Sequence, residues 1–294
     1  MQFGIIPPVR LGVTADPDWM TSFARHAEAC GFESVVLVEH AVVISDYEST
    51  YPYAASGKMP LPDDCRIPDP LDLMAYLAAV TDRITLATGV LVVPNHQAVV
   101  LAKRIATVDV LSAGRVRMCV GVGWMDEELA ATGADPRSRG RRTDETIMAM
   151  RSLWADSGPG GADFEGEFVS FRHAHSFPKP VRPGGVPIHI GGHSEAAARR
   201  AGRLGDGFQP LGLGPDDLAL RVGQMRESAE RAGRDPDAIE LSVSGYLPTT
   251  TEEEVATAEA AGIRRMLLST SMSPDLDGLA DEVSAFAERF GPLS

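Results

Sequence analysis

Short apolar runs alternate with longer amphipathic segments along the whole chain, and this alternation limits the possible folds more than any other feature. The apolar runs are rich in Val, Ile and Leu, which is typical of buried strands in an α/β protein. The predicted strands are Phe3–Ile6, Ser34–Val38, Ile84–Thr88, Val116–Val120, Val186–Ile190, Gly207–Pro210, Ile239–Val243 and Met266–Ser269.

Each predicted strand is followed by a predicted helix. These helices are Pro17–Cys30, Leu71–Thr81, Ala98–Leu111, Thr143–Trp154, Glu195–Leu204, Asp216–Ala232, Glu252–Ala261 and Leu276–Phe290. Two of them carry a start signal. Asp16 before Pro17 is typical of an N-cap, and Thr143 with Glu145 approximates a capping box.

Eight strand–helix units without a composition break predict a single (β/α)8 TIM-like barrel over residues 1–294, with loop insertions at the C-terminal mouth. A doubly wound open sheet alternates strands and helices in the same way and is the competing fold. Gly121-Val122-Gly123-Trp124 looks superficially like a dinucleotide fingerprint, but it lacks the third glycine and does not open a helix. The barrel is therefore favoured.

Two segments fall outside the repeating pattern. Residues 41–70 form a long, proline-rich stretch that contains Tyr47, Tyr51 and Tyr53, and a loop of this length in a compact domain usually has a functional role. A second segment, around Phe164 and Phe171, alternates apolar and polar residues and is predicted to be a hairpin.

Charge and cysteine content exclude several classes of protein. A net charge of −14 repels nucleic acids and anionic membranes. Three scattered cysteines are too few for a disulfide framework or a zinc site; Cys30 and Cys119 are predicted in the core and Cys65 in an exposed loop. Because the chain opens directly into a strand and has no long apolar stretch, we expect a soluble, cytoplasmic protein without a bound metal.

The second predicted strand ends in an ionisable pair, Glu39-His40. In a barrel the reactive groups collect at the C-terminal ends of strands, and imidazole is the side chain suited to proton transfer near neutral pH. We expect His40 to move a proton and Glu39 to orient it. The alternative is that both side chains cap the strand end.

The third strand ends at Thr88-Gly89, where glycine allows close approach of a ligand, although a simple β-bulge would also explain the pair. Asn95 and His96 follow between apolar segments. Asn95 is a candidate ligand contact, and a helix cap is its alternative role.

The fifth strand runs into Gly191-Gly192-His193-Ser194 and then directly into a helix. Two glycines expose backbone N–H groups, and the helix N-terminus adds partial positive charge, so this segment is a candidate phosphate cradle. A plain N-cap at Ser194 is the alternative. Arginines 139, 141 and 142 precede a helix and are predicted to form a solvated face.

Several motifs, in the same order and spacing, resemble those of the bacterial luciferase-like monooxygenase superfamily over residues 1 to about 245. Within it the chain is most similar to oxidoreductases that use the deazaflavin coenzyme F420. The motifs are Arg83–Val90, Ala102–Arg115, Gly121–Trp124, Arg141–Glu145, Gly191–Ser194 and Leu204–Gly207.

This resemblance implies a barrel with a flavin or deazaflavin across its C-terminal mouth. It places an acid–histidine pair near the reactive ring, here Glu39-His40, where aspartate is the commoner acid. It also implies a non-proline cis peptide at Thr88-Gly89 or Gly89-Val90, and a phosphate loop at Gly191–Ser194. The cofactor-binding candidates are Thr88, Gly89, Asn95, Gly121, Gly123, Trp124, Gly191, Gly192, His193 and Ser194.

The implied activity is hydride transfer between F420 and an organic substrate, with the tyrosines of residues 41–70 favouring an aromatic or extended apolar molecule. Trp124 is either a wall of the site or a core residue. The alternatives are an FMN-dependent monooxygenase that uses reduced flavin, O2 and a separate reductase, a non-catalytic flavin-binding barrel, and a phosphate-binding isomerase barrel. We expect a homodimer that pairs through Ala98–Leu111.

Overall fold

The computed structural model describes residues 1–155 and 157–291 and shows parallel strands surrounded by helices. The strands are β1 Gln2–Ile6, β2 Ser34–Leu37, β3 Thr85–Thr88, β4 Leu91–Val92, β5 Val116–Gly121, β6 Ala162–Glu165, β7 Ser170–Ala174, β8 Ile188–Gly191, β9 Gly207–Gln209, β10 Glu240–Tyr246 and β11 Arg265–Ser269. The α-helices are α1 Pro17–Ala29, α2 Pro70–Val80, α3 Ala98–Leu111, α4 Asp126–Ala131, α5 Arg139–Trp154, α6 Glu195–Leu204, α7 Pro215–Arg231, α8 Glu252–Ala260 and α9 Leu276–Phe290.

The sheet closes on itself in the order β1-β2-β3-β5-β8-β9-β10-β11 and back to β1. The closing pairs are parallel: Gly4 of β1 lies opposite Leu267 of β11, and Leu86 of β3 lies opposite Val116 of β5. The (β/α)8 barrel is thus confirmed, and the open sheet is wrong.

The third barrel strand is interrupted near the mouth. Both β3 and β4 pair with β5, but Ala87 lies opposite Arg117 whereas Leu91 lies opposite Val120. One more residue is therefore present on the β3–β4 side than on β5, which is a β-bulge. The peptide bond between Gly89 and Val90 is cis, at one of the two places that the resemblance implied.

The main hydrophobic core lies between the outer face of the barrel and the helices, and it includes fully buried Ile5, Leu86 and Met118. A separate small cluster of Val36, Ala87 and Leu267 fills part of the barrel interior. Alternate side chains of a strand point to opposite faces, so one run of residues supplies both layers.

Below this cluster, at the N-terminal end of the barrel, the interior is charged. Glu33 accepts hydrogen bonds from Arg117 Nη1 at 2.5 Å and from Arg265 Nε at 2.9 Å. Burial alone would raise the pKa of Glu33, but the two guanidinium groups lower it to about 2. His189 is 3% exposed, and its Nδ1 has no partner in the described chain; burial and then the same arginines lower the pKa of His189 to about 3. Glu33 is thus the shared counterion of both guanidinium groups at this end of the barrel.

Most predicted boundaries lie within a few residues of the observed ones, and the hairpin β6–β7 is confirmed. Asp16 caps α1 as predicted, accepting from the N–H groups of Asp18 and Trp19 at 3.0 Å. The predicted capping box was wrong. Helix α5 begins at Arg139, so Thr143 lies inside it and donates to the Arg139 carbonyl.

The sequence patterns missed the short elements β4 and α4. Cys119 is buried as predicted, whereas Cys30 is only partly buried and lies at the edge of the core. Cys65 is half-buried rather than exposed, because its thiol donates to the Val9 carbonyl at 3.3 Å. Within residues 1–155 and 157–291, no helix has both the length and the apolar character needed to cross a membrane.

Candidate functional site

The C-terminal mouth of the barrel is bordered by a chain of aromatic rings. Trp124, which follows β5, makes edge contacts with Tyr51 and Tyr47 at centroid distances of 5.0 and 5.3 Å. Tyr51 contacts Tyr53 at 5.4 Å, and Tyr53 contacts His193, beyond β8, at 5.3 Å. The segment after β2 therefore reaches over the mouth, and Trp124 is half-buried in a wall rather than part of the hydrophobic core.

The segment of residues 41–70, which we call the cover, is hydrogen-bonded to α4. Glu127 accepts hydrogen bonds from the N–H of Glu48 at 2.7 Å and from the hydroxyl of Ser49 at 2.7 Å. Although burial would raise it, these bonds lower the pKa of Glu127 to about 2. The carboxylate is thus an ionised anchor for the start of the cover.

His40 lies at the mouth and is paired with a glutamate that the sequence patterns did not indicate. Its Nδ1 lies 2.9 Å from Oε2 of Glu128, which is 3% exposed. The other Glu128 oxygen accepts the N–H of Ala41 at 2.6 Å and is 3.4 Å from the amide nitrogen of Asn95. A carboxylate only accepts hydrogen bonds, so this geometry assigns the proton to His40 Nδ1 and leaves Nε2 without a hydrogen-bond partner in the described chain.

The expectation that Glu39 orients His40 was wrong. Glu39 is buried, its Oε1 lies 2.6 Å from Nε2 of His96, and its Oε2 accepts the N–H of Val92 at 2.5 Å. Successive residues of an extended chain point in opposite directions, so the neighbours Glu39 and His40 face different partners. The mouth therefore holds two histidine–glutamate pairs, each joining distant parts of the chain.

Asn95 belongs to the same network rather than capping a helix. Its Oδ1 accepts the hydroxyl of Thr132 at 2.9 Å, while its nitrogen faces Glu128. Helix α3 begins after Gln97, which makes no side-chain cap bond. Asn95 thus links Thr132 to Glu128, and its contact with a cofactor stays a prediction.

Three neighbouring barrel strands end in glycine at positions that face the interior. A Cβ on Gly121 would lie 2.8 Å from Val90 Cγ2, and a Cβ on Gly191 would lie 2.5 Å from Val90 Cγ1. A Cβ on Gly89 would lie 2.5 Å from Val36 Cγ1. Side chains at these positions would collide with Val90 or Val36, so glycine keeps this wall of the mouth at backbone level.

The segment Gly191–Ser194 joins β8 to α6. Gly192 has a φ of +114°, which residues with a Cβ rarely adopt. The hydroxyl of Ser194 accepts the N–H of Ala197 at 3.2 Å, so the residue is an N-cap. Arg221 donates to the His193 carbonyl at 2.9 Å, and His193 Nδ1 is enclosed without a partner in the described residues. N-cap and phosphate cradle are compatible, because the cap occupies only one N–H donor, that of Ala197.

Two further cofactor-binding candidates, Thr88 and Gly123, have a structural role at the barrel mouth. The hydroxyl of Thr88 donates to the Cys119 carbonyl at 2.7 Å, and Thr88 is 1% exposed. Gly123 has a φ of +80°, and a Cβ at this position would lie 3.0 Å from Val92 Cγ1 and 3.1 Å from Leu129 Cδ2. Arg139 and Arg141 pair with Asp126 and Glu167, as expected of a solvated face.

The sequence patterns missed two members of the histidine–glutamate pairs, namely His96 and Glu128. Glu128 stands in the run Asp126-Glu127-Glu128, which has the appearance of a solvated helix start. The only usable signal was its position just beyond a barrel strand, where reactive groups collect. Among residues 1–155 and 157–291, no group of three His, Cys, Asp or Glu side chains is arranged to hold a metal ion.

Comparison with known proteins agrees with this geometry. The family model described as luciferase-like monooxygenase matches residues 1–290. An uncharacterized protein of Mycobacterium tuberculosis is 33% identical over 273 residues, 90% of each chain. An F420-dependent glucose-6-phosphate dehydrogenase of Nakamurella multipartita is 29% identical over 262 residues, 85% of this chain and 70% of that protein.

Solved structures show the same fold at low sequence identity. An F420-dependent secondary alcohol dehydrogenase, in complex with an F420–acetone adduct, has a TM-score of 0.76 at 20% identity over 98% of this chain and 97% of that chain. The monooxygenase RslO1 from Streptomyces bottropensis has a TM-score of 0.74 at 22% identity over 98% of both chains. With a family model that spans the barrel and both of its histidine–glutamate pairs, this chain belongs to the luciferase-like monooxygenase family.

Proposed function

We propose that this protein transfers a hydride between the deazaflavin F420 and a small organic substrate at the barrel mouth. One observation carries the proposal. His40 is held at Nδ1 by a buried carboxylate and keeps Nε2 unpartnered among the described residues, beside a wall of aromatic rings and strand-end glycines. This arrangement suits proton transfer next to a flat heterocycle.

The residues at the mouth fit such a cofactor. Gly191 and Gly192 carry no side chain in front of the first turn of α6, so an anion can approach this helix N-terminus, where the helix dipole favours it. The enclosed Nδ1 of His193 is a polar atom without a partner in the described chain, which a phosphate oxygen would satisfy. Gly89 and Gly121 would allow a ring to lie close to the backbone.

When bound, the cofactor supplies the hydride chemistry, and the protein supplies orientation and electrostatics. His40 Nε2 would accept the hydroxyl proton of an alcohol, or return it to a carbonyl in the reverse direction. Glu128 would stabilise the imidazolium that forms. The cover with Tyr51 and Tyr53 would exclude water and contact an apolar part of the substrate.

Two observations favour F420 over FMN as the cofactor: the cofactor of similar proteins and the presence of arginines near the barrel mouth. Curated relatives from Nakamurella multipartita and Mycolicibacterium gilvum are F420-dependent dehydrogenases, 29% and 32% identical to this chain. The deazaflavin carries an additional anionic tail, which needs cations near the mouth despite the net charge of −14. Arg10 is exposed and lies near Tyr51, and within the described chain its Nε donates only to the thioether Sδ of Met272 at 3.4 Å. Arg221 is the second cation, since it donates to the carbonyl of His193 in the phosphate loop.

An FMN-dependent monooxygenase is the second candidate, because RslO1 shares the fold over 98% of both chains. Parallel assays separate the two. Oxidised F420 with a panel of secondary and aromatic alcohols, and reduced F420 with the matching ketones, should change the visible absorbance of the cofactor. Oxygen consumption with reduced FMN, and no reaction of F420 with any compound in either direction, would contradict the proposal.

A further inference from the structure

Gln209 ends β9 with a buried side chain that crosses the barrel interior. It is 4% exposed, and its Nε2 lies 3.8 Å from the position that a Cβ on Gly89 would occupy. Strands β9 and β3 are separated in the sheet by β8 and β5, so this approach spans the mouth rather than a neighbouring strand. Gln209 therefore faces the glycine wall around the Gly89–Val90 peptide.

The backbone of Gln209 is used and its side chain is not. Its register partner is Gly191, and its carbonyl accepts the N–H of Gly192 at 3.3 Å, which links it to the phosphate loop. The carboxamide, in contrast, has no hydrogen-bond partner within residues 1–155 and 157–291, and its polar atoms are not fully enclosed, so they reach the open space of the mouth. A polar group that lies at the mouth of a barrel without a partner in the chain is available to hydrogen-bond a ligand that enters there.

We infer that the carboxamide of Gln209 hydrogen-bonds the heterocycle of the bound cofactor, which makes it a recognition residue of the site. The inference rests on the proposed function, because it requires a ring in the mouth. A carboxamide offers one carbonyl acceptor and two N–H donors. The pyrimidine edge of flavins and deazaflavins alternates carbonyl oxygens with an N–H and is complementary to that set.

The position agrees with the rest of the site. Gly191 and Gly192 would take the phosphate at one end of the cofactor, and Gln209 lies one strand further, inside the barrel. His40 and Trp124 follow β2 and β5 and stand on the opposite side of the phosphate loop. A ring that extends from the loop into the mouth would thus have Gln209 along one edge and His40 within reach of the substrate.

The test combines two measurements on Gln209→Leu, which removes the polar atoms of the side chain and leaves a branched apolar group in its place. Fluorescence titration with F420 gives the dissociation constant, and thermal unfolding without cofactor gives the stability. We expect the dissociation constant to rise about tenfold, the value of one hydrogen bond. We also expect the unfolding midpoint of the free protein to stay the same or rise, since the replaced amide has no hydrogen-bond partner among the described residues that the variant would lose.

Gln97→Leu is the matched control, because Gln97 is exposed and its side chain forms no cap bond. It should change neither quantity. Wild-type binding of F420 with an unchanged dissociation constant in Gln209→Leu would overturn this inference alone. A lower unfolding midpoint of free Gln209→Leu would also overturn it, because the amide would then be a structural partner. Failure of the wild-type protein to bind F420 would overturn the proposed function and the inference together.

Discussion

Nδ1 of His40 lies 2.9 Å from Oε2 of Glu128, although 88 positions separate the two residues in the chain. The pair joins the end of β2 to α4, and Glu128 is simultaneously bound to the Ala41 N–H. The second pair has the opposite sense, because Glu39 meets His96 at Nε2. Two neutral imidazoles should therefore carry their protons on different nitrogens.

Glu128→Gln tests this assignment. In the wild-type protein near neutral pH, the ¹⁵N spectrum of the ring should show a proton on Nδ1 of neutral His40. An amide both donates and accepts, so the Nδ1–H form should lose its predominance in the variant. His96 is the internal control and should keep its proton on Nε2. An unchanged His40 spectrum in Glu128→Gln would mean that Glu128 does not fix the tautomer.

His40→Ala should leave the fold and the affinity for F420 unchanged and lower kcat by about 100-fold or more, the scale of a lost acid–base group. Circular dichroism, cofactor titration and steady-state rates measure the three quantities. His175→Ala is the control, because His175 is exposed on the strand-end segment after β7. Wild-type turnover in His40→Ala would assign His40 a structural role.

Gly192→Val should weaken cofactor binding at least about tenfold, because the branched side chain would block the approach of the phosphate to the loop and so prevent hydrogen bonds to an anion that are worth about 1.5–3 kcal/mol each. The φ of +114° at Gly192 adds backbone strain, and the new Cβ would lie 3.3 Å from Ala197 Cβ. Gly184→Val separates strain from binding, since Gly184 has a φ of +93° in open space before β8. Equal dissociation constants in wild type and Gly192→Val would place the phosphate elsewhere.

Stability should fall in acid because of His189. Its pKa is about 3 in the folded protein, against an ordinary value of 6.5, so below pH 6.5 the unfolded chain takes up a proton that the native state rejects. The contribution approaches about 1.4 kcal/mol per pH unit for one proton. Glu33, held at about 2 instead of 4.5, adds a loss only below pH 4.5.

The contributions of His189 and Glu33 to the free energy of unfolding are lost in different pH ranges and can therefore be measured separately. Urea unfolding between pH 6.5 and 4.5 should show a slope in the wild-type protein that His189→Gln reduces, while the steeper loss below pH 4.5 remains. His175→Gln, at an exposed position, should retain the wild-type slope. An identical pH dependence in His189→Gln would show that the buried ring does not cause the acid sensitivity.

The barrel and most helix boundaries could be predicted from the sequence because period and length of the apolar runs report burial directly. Helix α3 and helix α6 were predicted with the observed bounds, and His40 and Gly192 at the mouth follow from strand ends alone. The hydrogen-bond partners of the side chains at the mouth could not be predicted in the same way. Glu39 pairs with His96 and not with its neighbour, and this depends on side-chain direction across a closed barrel.

Gln209 shows the same limit. In sequence it is one polar residue after a short strand, and only the closed barrel places its amide opposite Gly89. The start of α5 at Arg139 was not predicted because no side chain caps it. Thr143 resembles an N-cap residue in sequence, but it lies inside the helix and donates to the Arg139 carbonyl.

Equilibrium titration of the purified protein with F420 and with FMN, followed by fluorescence at constant salt, shows which cofactor the barrel mouth binds. We predict saturable binding of F420 with a dissociation constant well below that of FMN, because Arg10 and Arg221 would attract the longer anionic tail. Tighter binding of FMN, or saturable binding of neither cofactor, would contradict it.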